Sequence, residues 1–197
     1  MLPATASYPT ARYKMTSFLV DGDSMTQGIG ASAASSLHTL LSAEPNFVGK
    51  GFFNTIGFGG RAVSQEITEF YKSSPFRSTN VFNYLFIWGG TAATSGTTFS
   101  ELQTYWAQAR AQGWKVIAFT ILYQEADTPA EDALTDQINA SIRLATSEWD
   151  YLVDVATIPE LSDPSNTTYF ADGTHLTALG YQTVADFIND TLALPVL

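Results

Sequence analysis

Ser24 is the residue whose surroundings in the sequence best suit a nucleophile. It follows Gly22-Asp23 at the end of the apolar run Phe18–Val20, as when a buried strand delivers a serine to the rim of a sheet. A serine hydroxyl needs a general base to become nucleophilic, and histidine is the usual base because it titrates near neutral pH. The chain contains only two histidines, so there are few candidates for that base.

His175 has the more suggestive context of the two. It lies in a polar loop near the carboxyl end of the chain, with Asp172 three residues before it and Gly173 between them. A carboxylate on so short a loop can fix the tautomer of an imidazole and stabilise the imidazolium, which is the role of the acid in a catalytic triad. The competing interpretation is a helix-capping turn with an incidental histidine. His38, among leucines of a predicted short helix, is better explained as a packing or surface residue.

The elements that must position these residues alternate between strand and helix. Val81–Trp88 is an almost continuous apolar run, which indicates a central strand buried on both faces. Alternation repeated through the chain predicts a mostly parallel sheet with helices on both faces. The predicted strands are Ser17–Val20, Gly51–Ile56, Val81–Trp88, Lys115–Leu122 and Tyr151–Val155, and the predicted helices lie over 31–43, 62–71, 99–112, 134–149 and 181–192.

Glycines cluster where the first three predicted strands end, at Gly22, Gly57–Gly60 and Gly89-Gly90. In open α/β sheets the ligand sites lie beyond the carboxyl ends of the strands, so we expect the site at this edge. Asp154, at the end of the fifth strand, is an alternative acid for the histidine. Residues 1–16 contain two prolines and are predicted to form an arm or linker ahead of a single domain over 17–197.

The charge and the apolar content of the sequence limit the kinds of molecule that the protein is expected to bind. The formal net charge of −10 disfavours nucleic acid and anionic membrane surfaces, because both would be repelled, and neutral or weakly charged substrates fit better. No apolar run approaches the roughly 18 residues that span a bilayer. Residues 1–17 lack the apolar core of a signal peptide, although few lysines and many serines, threonines and aromatic residues favour a secreted hydrolase.

Other chemistries find little support in the sequence. The absence of cysteine excludes disulfides, thiolate nucleophiles and cysteine-ligated metals, and two separated histidines exclude a histidine-rich metal site. The G-x-S-x-G elbow is absent because Thr26 stands at its last position. Gly28-Ile29-Gly30 begins too far after its strand for a dinucleotide-binding turn, and there is no P-loop. No cofactor is implied.

The set of motifs resembles the GDSL-type, or SGNH, hydrolase family. Gly22-Asp23-Ser24, a glycine turn after the second strand, Trp88–Thr91 after the third, and Asp172-x-x-His175 occur in the order found in that family, over about residues 17–193. The resemblance implies a flavodoxin-like α/β/α sandwich with a five-stranded parallel sheet and a serine esterase or lipase activity without a metal. It also implies that Ser24 is the nucleophile, His175 the base and Asp172 the acid.

The same resemblance implies an oxyanion hole built from backbone N–H groups. These belong to Ser24 and to a glycine of the second block, for which Gly60 fits best and Gly59 stays open. The third family block reads Gly-x-Asn-Asp and supplies an asparagine donor, whereas Ala92 stands at that position here. Removing one preorganised donor costs on the order of 10²–10³ in rate, so the replacement predicts a weakened site unless Thr91 or Thr94 substitutes.

We therefore expect a serine esterase that hydrolyses an O-acyl ester through an acyl-enzyme on Ser24. A carbohydrate O-acetyl group, on a small molecule or a polysaccharide, is the preferred substrate class because the acidic, aromatic-rich chain shows no long lipid-binding insertion. Lipase, lysophospholipase or thioesterase activity is the alternative within the family, and a catalytically weakened glycan-binding module is the alternative outside it. Tyr123, Trp88 and Arg61 are expected near the mouth of the site.

Overall fold

The computed structural model describes residues 15–91 and 98–195 and builds them around one parallel sheet. Its strands are β1 (Thr16–Gly22), β2 (Gly51–Thr55), β3 (Asn83–Trp88), β4 (Lys115–Phe119) and β5 (Tyr151–Val153). They lie in the order β2-β1-β3-β4-β5, and every neighbouring pair is parallel. The predicted flavodoxin-like sheet is confirmed.

The α-helices of the described residues connect these strands. They are α1 (Ser24–Gln27), α2 (Leu37–Ala43), α3 (Val63–Glu69), α4 (Phe99–Ala111), α5 (Pro129–Leu144) and α6 (Ala178–Thr191). Short 3₁₀ turns lie at Ala33–Ser35, Phe70–Phe76, Val155–Thr157 and Pro159–Leu161. Within the described ranges, no helix combines the length and the apolar character needed to cross a membrane.

Alternating side chains of β1 enter two separate cores. Phe18 and Val20 pack on the face covered by α2 and α6, whereas Leu19 packs on the opposite face with α3, α4 and α5. All three side chains are fully buried. Because helices cover both faces, the central strands need apolar residues at every position, which is why they are recognisable as continuous apolar runs.

The chain turns tightly across the end of β3 when it leaves β1. Gly22 is the register partner of Trp88, and a Cβ at Gly22 would lie 1.9 Å from the Trp88 carbonyl oxygen. Only glycine allows that approach, and its φ of 153° is one that other residues rarely adopt. The Thr26 hydroxyl then donates to the same carbonyl over 2.7 Å, so α1 is held against the end of β3.

Several predicted elements have different bounds in the structure. The helix expected over 134–149 is α5, which begins after its Thr128 N-cap and ends at Leu144, so Trp149 lies outside it. The strands expected over Val81–Trp88 and Tyr151–Val155 are shortened to β3 and β5.

Two further differences have a local cause. The helix expected over 31–43 begins at Leu37, because a 3₁₀ turn precedes it and the Ser36 hydroxyl bonds to the Ala33 carbonyl over 2.8 Å. The strand expected to reach Leu122 ends at Phe119.

Asn139 of α5 explains the early end of β4. Its side-chain oxygen accepts from the Ile121 N–H over 2.7 Å, and its amide nitrogen donates to the Ile121 carbonyl over 2.8 Å. The side chain is 3% exposed and so replaces a neighbouring strand as the partner of this backbone.

We predict that Asn139→Ala lowers the free energy of unfolding by about 2–4 kcal/mol, because two buried backbone groups lose their partners. Urea unfolding followed by circular dichroism measures the change. Gln137→Ala, at an exposed position of the same helix, is the matched control and is expected to change stability by less than about 0.5 kcal/mol. Equal effects of the two substitutions would contradict this role for Asn139.

Candidate active site

Ser24 occupies the first position of α1, immediately after the turn that ends β1. Asp23 is the N-cap of this short helix, and its carboxylate accepts from the Met25 N–H over 2.9 Å. The Ser24 side chain is half-buried at the carboxyl edge of the sheet. Its own N–H has no acceptor among the described residues, so a donor remains available beside the hydroxyl.

Asp23 also joins this turn to the loop after β3. The second oxygen of its carboxylate accepts from the Thr91 N–H over 2.9 Å, and the residue is 2% exposed. Burial raises the pKa of Asp23, while the amide hydrogen bonds from Met25 and Thr91 oppose the rise. The sequence indicates no function for Asp23 beyond its place in the motif, although an aspartate just before a helix is the usual signal of an N-cap.

Asp172 and His175 lie in contact on the loop before α6. The Asp172 carboxylate lies 2.8 Å from His175 Nδ1 and also accepts from the His175 N–H over 2.7 Å. A further bond comes from the Thr174 N–H over 3.1 Å. Partial burial by itself would raise the pKa of Asp172, but these hydrogen bonds outweigh it and lower the pKa below its usual range. The carboxylate is therefore ionised at neutral pH.

The segment that follows Ser24 packs directly against the histidine loop. A Cβ at Gly30 would lie 2.9 Å from His175 Cβ and 2.6 Å from the Leu176 carbonyl oxygen. The Ile29 N–H bonds to the Ser24 carbonyl over 3.1 Å, and the Ile29 carbonyl accepts from a tyrosine hydroxyl of α6 over 3.0 Å. The side-chain hydrogen bonds of the described residues do not include one between Ser24 and His175. Bonds of this kind are often long in the absence of substrate.

Gln124 joins the histidine loop to the loop after β3. Its amide nitrogen donates to the Thr91 carbonyl over 2.6 Å, and its amide oxygen accepts from the Thr174 hydroxyl over 3.2 Å. The next residue, Glu125, donates its N–H to the Gly173 carbonyl over 2.8 Å. Gln124 could not be recognised from the sequence, because it lies in an irregular loop with no motif around it.

The second glycine turn presents two candidate backbone donors that differ in availability. The Gly59 N–H donates to the Gln27 side-chain oxygen over 2.5 Å. The Gly60 N–H has no acceptor among residues 15–91 and 98–195, and the space around this exposed glycine is open. A Cβ at Gly59 would lie 3.7 Å from Ser24 Cβ, so the turn lies beside the serine. Of the two glycines, Gly60 has the unoccupied donor.

Comparison with known protein families identifies the chain. The family model that matches is that of the GDSL-like lipase/acylhydrolase family, and it matches residues 21–183. The chain belongs to this family. A comparison with curated proteins finds no match.

Solved structures of GDSL-like proteins share the fold. A member of the lipolytic G-D-S-L family from Veillonella parvula superposes with a TM-score of 0.75 at 17% identity, over 90% of this chain and 98% of that one. The psychrotrophic esterase EstA from Pseudoalteromonas, in a structure inhibited by monoethylphosphonate, gives 0.68 at 13% identity over 90% and 96%. TesA gives 0.69 at 18% identity over 90% and 98%. At these identities the likeness concerns the fold.

Two other titratable residues weighed from the sequence lie in different surroundings. The Asp154 carboxylate forms an ion pair with Arg143, accepting from its Nε over 2.7 Å and from its Nη2 over 2.8 Å. It also accepts from the Thr120 hydroxyl over 3.0 Å. His38 lies 3.2 Å from the Ser36 hydroxyl, and burial lowers its pKa.

Two of the three residues expected at the mouth of this GDSL-like site lie in the interior. Trp88 is 1% exposed and stacks on Phe119, and Arg61 is 5% exposed and points into the protein. Tyr123 is partly exposed and lines a surface cleft. Ala92, which stands in place of the family asparagine, lies outside the described residues, as do Thr94 and residues 1–14.

No group of three or more histidine, aspartate or glutamate side chains is arranged to hold a metal ion among the described residues. Three acidic side chains, Asp21, Asp23 and Glu66, are instead buried in the interior.

Glu66 of α3 is the most isolated of these buried acids. It is fully buried, neither carboxyl oxygen has a hydrogen-bond partner among the described residues, and a Cβ at Gly89 would lie 2.5 Å from one of them. Burial raises the pKa of Glu66 well above its usual range, and the carboxylates of Asp23 and Asp21 raise it further. Glu66 is therefore neutral over a wider pH range than an exposed glutamate.

This raised pKa predicts a pH-dependent loss of stability. The contribution of Glu66 is fully present below its ordinary pKa of 4.5 and is lost as pH rises through the folded-state value. Glu66→Gln removes the titration, so its Tm relative to wild type should increase as the pH is raised above 4.5. Thermal unfolding by calorimetry across this range measures the difference.

Glu69→Gln is the matched control in the same helix. Hydrogen bonds from Lys72 and Arg61 lower the pKa of this exposed carboxylate, so its contribution is present above its ordinary pKa and is lost on acidification. The Tm of Glu69→Gln relative to wild type should therefore not rise with pH. If Glu66→Gln behaves like this control, Glu66 is not the neutral buried acid described above.

Proposed function

We propose that the chain is a serine esterase that hydrolyses an O-acyl ester through an acyl-enzyme on Ser24. One arrangement carries the proposal: an ionised Asp172 is bonded to His175 on a loop that packs against the segment following Ser24. Membership of the GDSL-like lipase/acylhydrolase family supports it. The inhibition of the Pseudoalteromonas relative by a phosphonate is consistent with a nucleophile of this kind.

In the proposed reaction, Ser24 Oγ attacks the ester carbonyl carbon while His175 Nε2 takes the hydroxyl proton. The carbonyl π bond opens, and its oxygen becomes an oxyanion that accepts from the backbone N–H groups of Ser24 and Gly60. The carbon–oxygen bond to the alcohol then breaks, and the alcohol leaves with the proton from His175. Water attacks the acyl-enzyme by the same route, which releases the carboxylic acid and restores Ser24.

Asp172 orients the base in this scheme. Its bond to Nδ1 keeps a proton on that nitrogen and leaves Nε2 free to accept the serine proton. The lowered pKa of Asp172 keeps the carboxylate charged at neutral pH, so it stabilises the imidazolium formed in each step.

The surroundings of the site favour a polar substrate with a short acyl group. A cleft of about 270 Å³ adjoins Gly60 and has Gln65, Glu69 and Lys72 on its wall. A second cleft, of about 430 Å³, reaches the histidine loop through Glu125 and is lined mostly by polar and acidic residues, with Tyr123 at one side. A neutral carbohydrate carrying an O-acetyl group suits such walls better than a long lipid chain does.

Lipase, lysophospholipase and thioesterase activities are the alternatives within the family. They predict a preference for long acyl chains, so comparing kcat/KM for p-nitrophenyl acetate and p-nitrophenyl octanoate separates them from the proposed substrate class. We expect the acetate to be preferred and acetylated neutral oligosaccharides to release acetate. A clear preference for the octanoate would overturn the substrate class and leave the serine mechanism in place.

The proposed nucleophile can be tested by labelling. A fluorophosphonate probe is expected to label the wild-type chain at Ser24 and to leave Ser24→Ala unlabelled.

The proposed acid can be tested by substitution. Asp172→Asn is expected to lower kcat on p-nitrophenyl acetate by on the order of 10²–10⁴-fold. The lower end of this range is favoured because the Asp172 side chain is 55% exposed and partly screened.

Asp154→Asn is the matched control, because it neutralises the other candidate acid, whose carboxylate is bonded to Arg143 and Thr120 instead of to the histidine. Its kcat should stay within about twofold of wild type. Wild-type protein that is folded but neither labelled nor active would refute the esterase proposal. A larger loss in Asp154→Asn than in Asp172→Asn would reassign the acid.

A catalytically weakened glycan-binding module is the second candidate, and the alanine at position 92 favours it. Ala92→Asn restores the side-chain donor of the family pattern and is expected to raise kcat, with KM less affected because the donor acts on the oxyanion. Ala92→Leu is the matched control and should bring no gain. An active wild-type enzyme that gains nothing from asparagine would mean that another group already fills this position.

A further inference from the structure

Arg61 follows the proposed oxyanion donor Gly60 directly, yet its side chain turns into the protein interior. One guanidinium nitrogen donates to the Gly22 carbonyl over 2.8 Å and to the Asp21 carboxylate, and the other donates to Glu69 over 3.3 Å. Arg61 is 5% exposed. A guanidinium so deeply buried needs paired partners, since a lone buried charge is costly.

Asp21 completes the buried arrangement from the strand that carries the nucleophile. It lies three residues before Ser24, is 0% exposed, and accepts from the Gly22 N–H over 2.9 Å. Its second oxygen accepts from the Tyr105 hydroxyl of α4. Each oxygen of the carboxylate is therefore bonded, and α4 is tied to the same point as the turn.

The Gly60 turn has few other contacts that could fix its position. The space around Gly60 is open, and the turn closes on itself only through a 3.4 Å bond from the Arg61 N–H to the Phe58 carbonyl. Its other polar attachments are the Phe58 N–H to the Gly22 carbonyl over 3.1 Å and the Gly59 N–H to Gln27. The buried guanidinium is the one charged attachment of this turn among the described residues.

We infer that Arg61, Asp21 and Tyr105 form a buried clamp that positions the oxyanion hole. The clamp fixes the backbone of Gly60 relative to the end of β1, and hence relative to the Ser24 N–H. All three side chains are buried, and we assign them as positioning residues that act through the backbone of Gly22 and Gly60. The inference rests on the proposed esterase function and assigns a role to residues that the mechanism above does not use.

Donors that are misplaced by a fraction of an ångström stabilise the ground state almost as well as before but stabilise the oxyanion poorly. Loosening the clamp should therefore lower kcat while KM stays nearly constant. Lysine cannot replace arginine here, because one ammonium group lacks the fixed fork that reaches Asp21, the Gly22 carbonyl and Glu69 together.

The test compares Arg61→Lys and Tyr105→Phe with Arg143→Lys, which alters another arginine paired with an aspartate, Asp154, just after the edge strand β5. Steady-state rates on p-nitrophenyl acetate are divided by the number of sites that a fluorophosphonate titrates, so a smaller folded fraction does not lower the result. The inhibition constant of phenylboronic acid, which forms a tetrahedral adduct with a serine, reports on the oxyanion hole separately.

We expect kcat per titrated site to fall about 10–100-fold in Arg61→Lys and several-fold in Tyr105→Phe, with KM within about twofold and weaker boronate inhibition in the same order. Arg143→Lys should match wild type in all three quantities. Unchanged kcat per site and unchanged boronate inhibition in both clamp variants would overturn the inference. If Arg61→Lys does not fold, Tyr105→Phe, which loses only a hydroxyl, decides the outcome.

The two proposals fail in different ways. A wild-type chain that is folded but neither titrates nor turns over ester would remove the esterase and the clamp's role together. An active wild-type chain with equally active clamp variants would remove only the clamp.

Discussion

The buried carboxylate of Asp23 holds together the two loops between which the site is built. One oxygen binds the amide that starts α1, and the other binds the amide of Thr91 after β3. A buried carboxyl group is stable only while such donors point at it, so the penalty for losing either bond is large. The two bonds of Asp23 therefore hold both loops in one geometry, and this geometry fixes the position of the next residue, Ser24.

Asp21, Asp23 and Glu66 are all buried in the interior, and the cost of burying a carboxyl group is reduced in a different way for each. Asp21 is paired with Arg61, Asp23 accepts from two backbone amides, and Glu66 has no hydrogen-bond partner among the described residues. Three ionised carboxylates in so small a volume would repel one another strongly, because the interior screens charge poorly. Burial raises the pKa of all three acids, and Asp23 and Asp21 raise that of Glu66 further, so protonation of Glu66 relieves this repulsion.

The parts of this molecule that could be predicted from the sequence are those encoded by neighbouring residues. Apolar runs and helical spacing gave the five strands and their crossovers, and the short patterns around Ser24 and His175 singled out the candidate chemistry. The bonds of Asp23 to Thr91 and of Asp21 to Arg61 could not be predicted, because they join positions 68 and 40 residues apart.

The buried position of Arg61 could not be predicted from the sequence for a second reason. Arginine is rarely buried, so exposure at the mouth of the site is the ordinary expectation for it. Only the three-dimensional placement of the Asp21 carboxylate and the Gly22 carbonyl beneath the turn makes the interior the better environment. The same reasoning applies to Asn139, whose pairing with the Ile121 backbone ends β4 sooner than the apolar run does.

The link between the loop after β3 and the histidine loop requires a neutral amide, which Gln124 supplies. This amide must donate to the Thr91 carbonyl and accept from the Thr174 hydroxyl at the same time. A carboxylate cannot donate and an ammonium cannot accept, so neither could make both bonds. A carboxylate would also add negative charge beside the loop that carries Asp172. That charge would raise the pKa of Asp172 and favour its protonated form. The amide therefore links the loop after β3 to the histidine loop without disturbing the charge on which the proposed base depends.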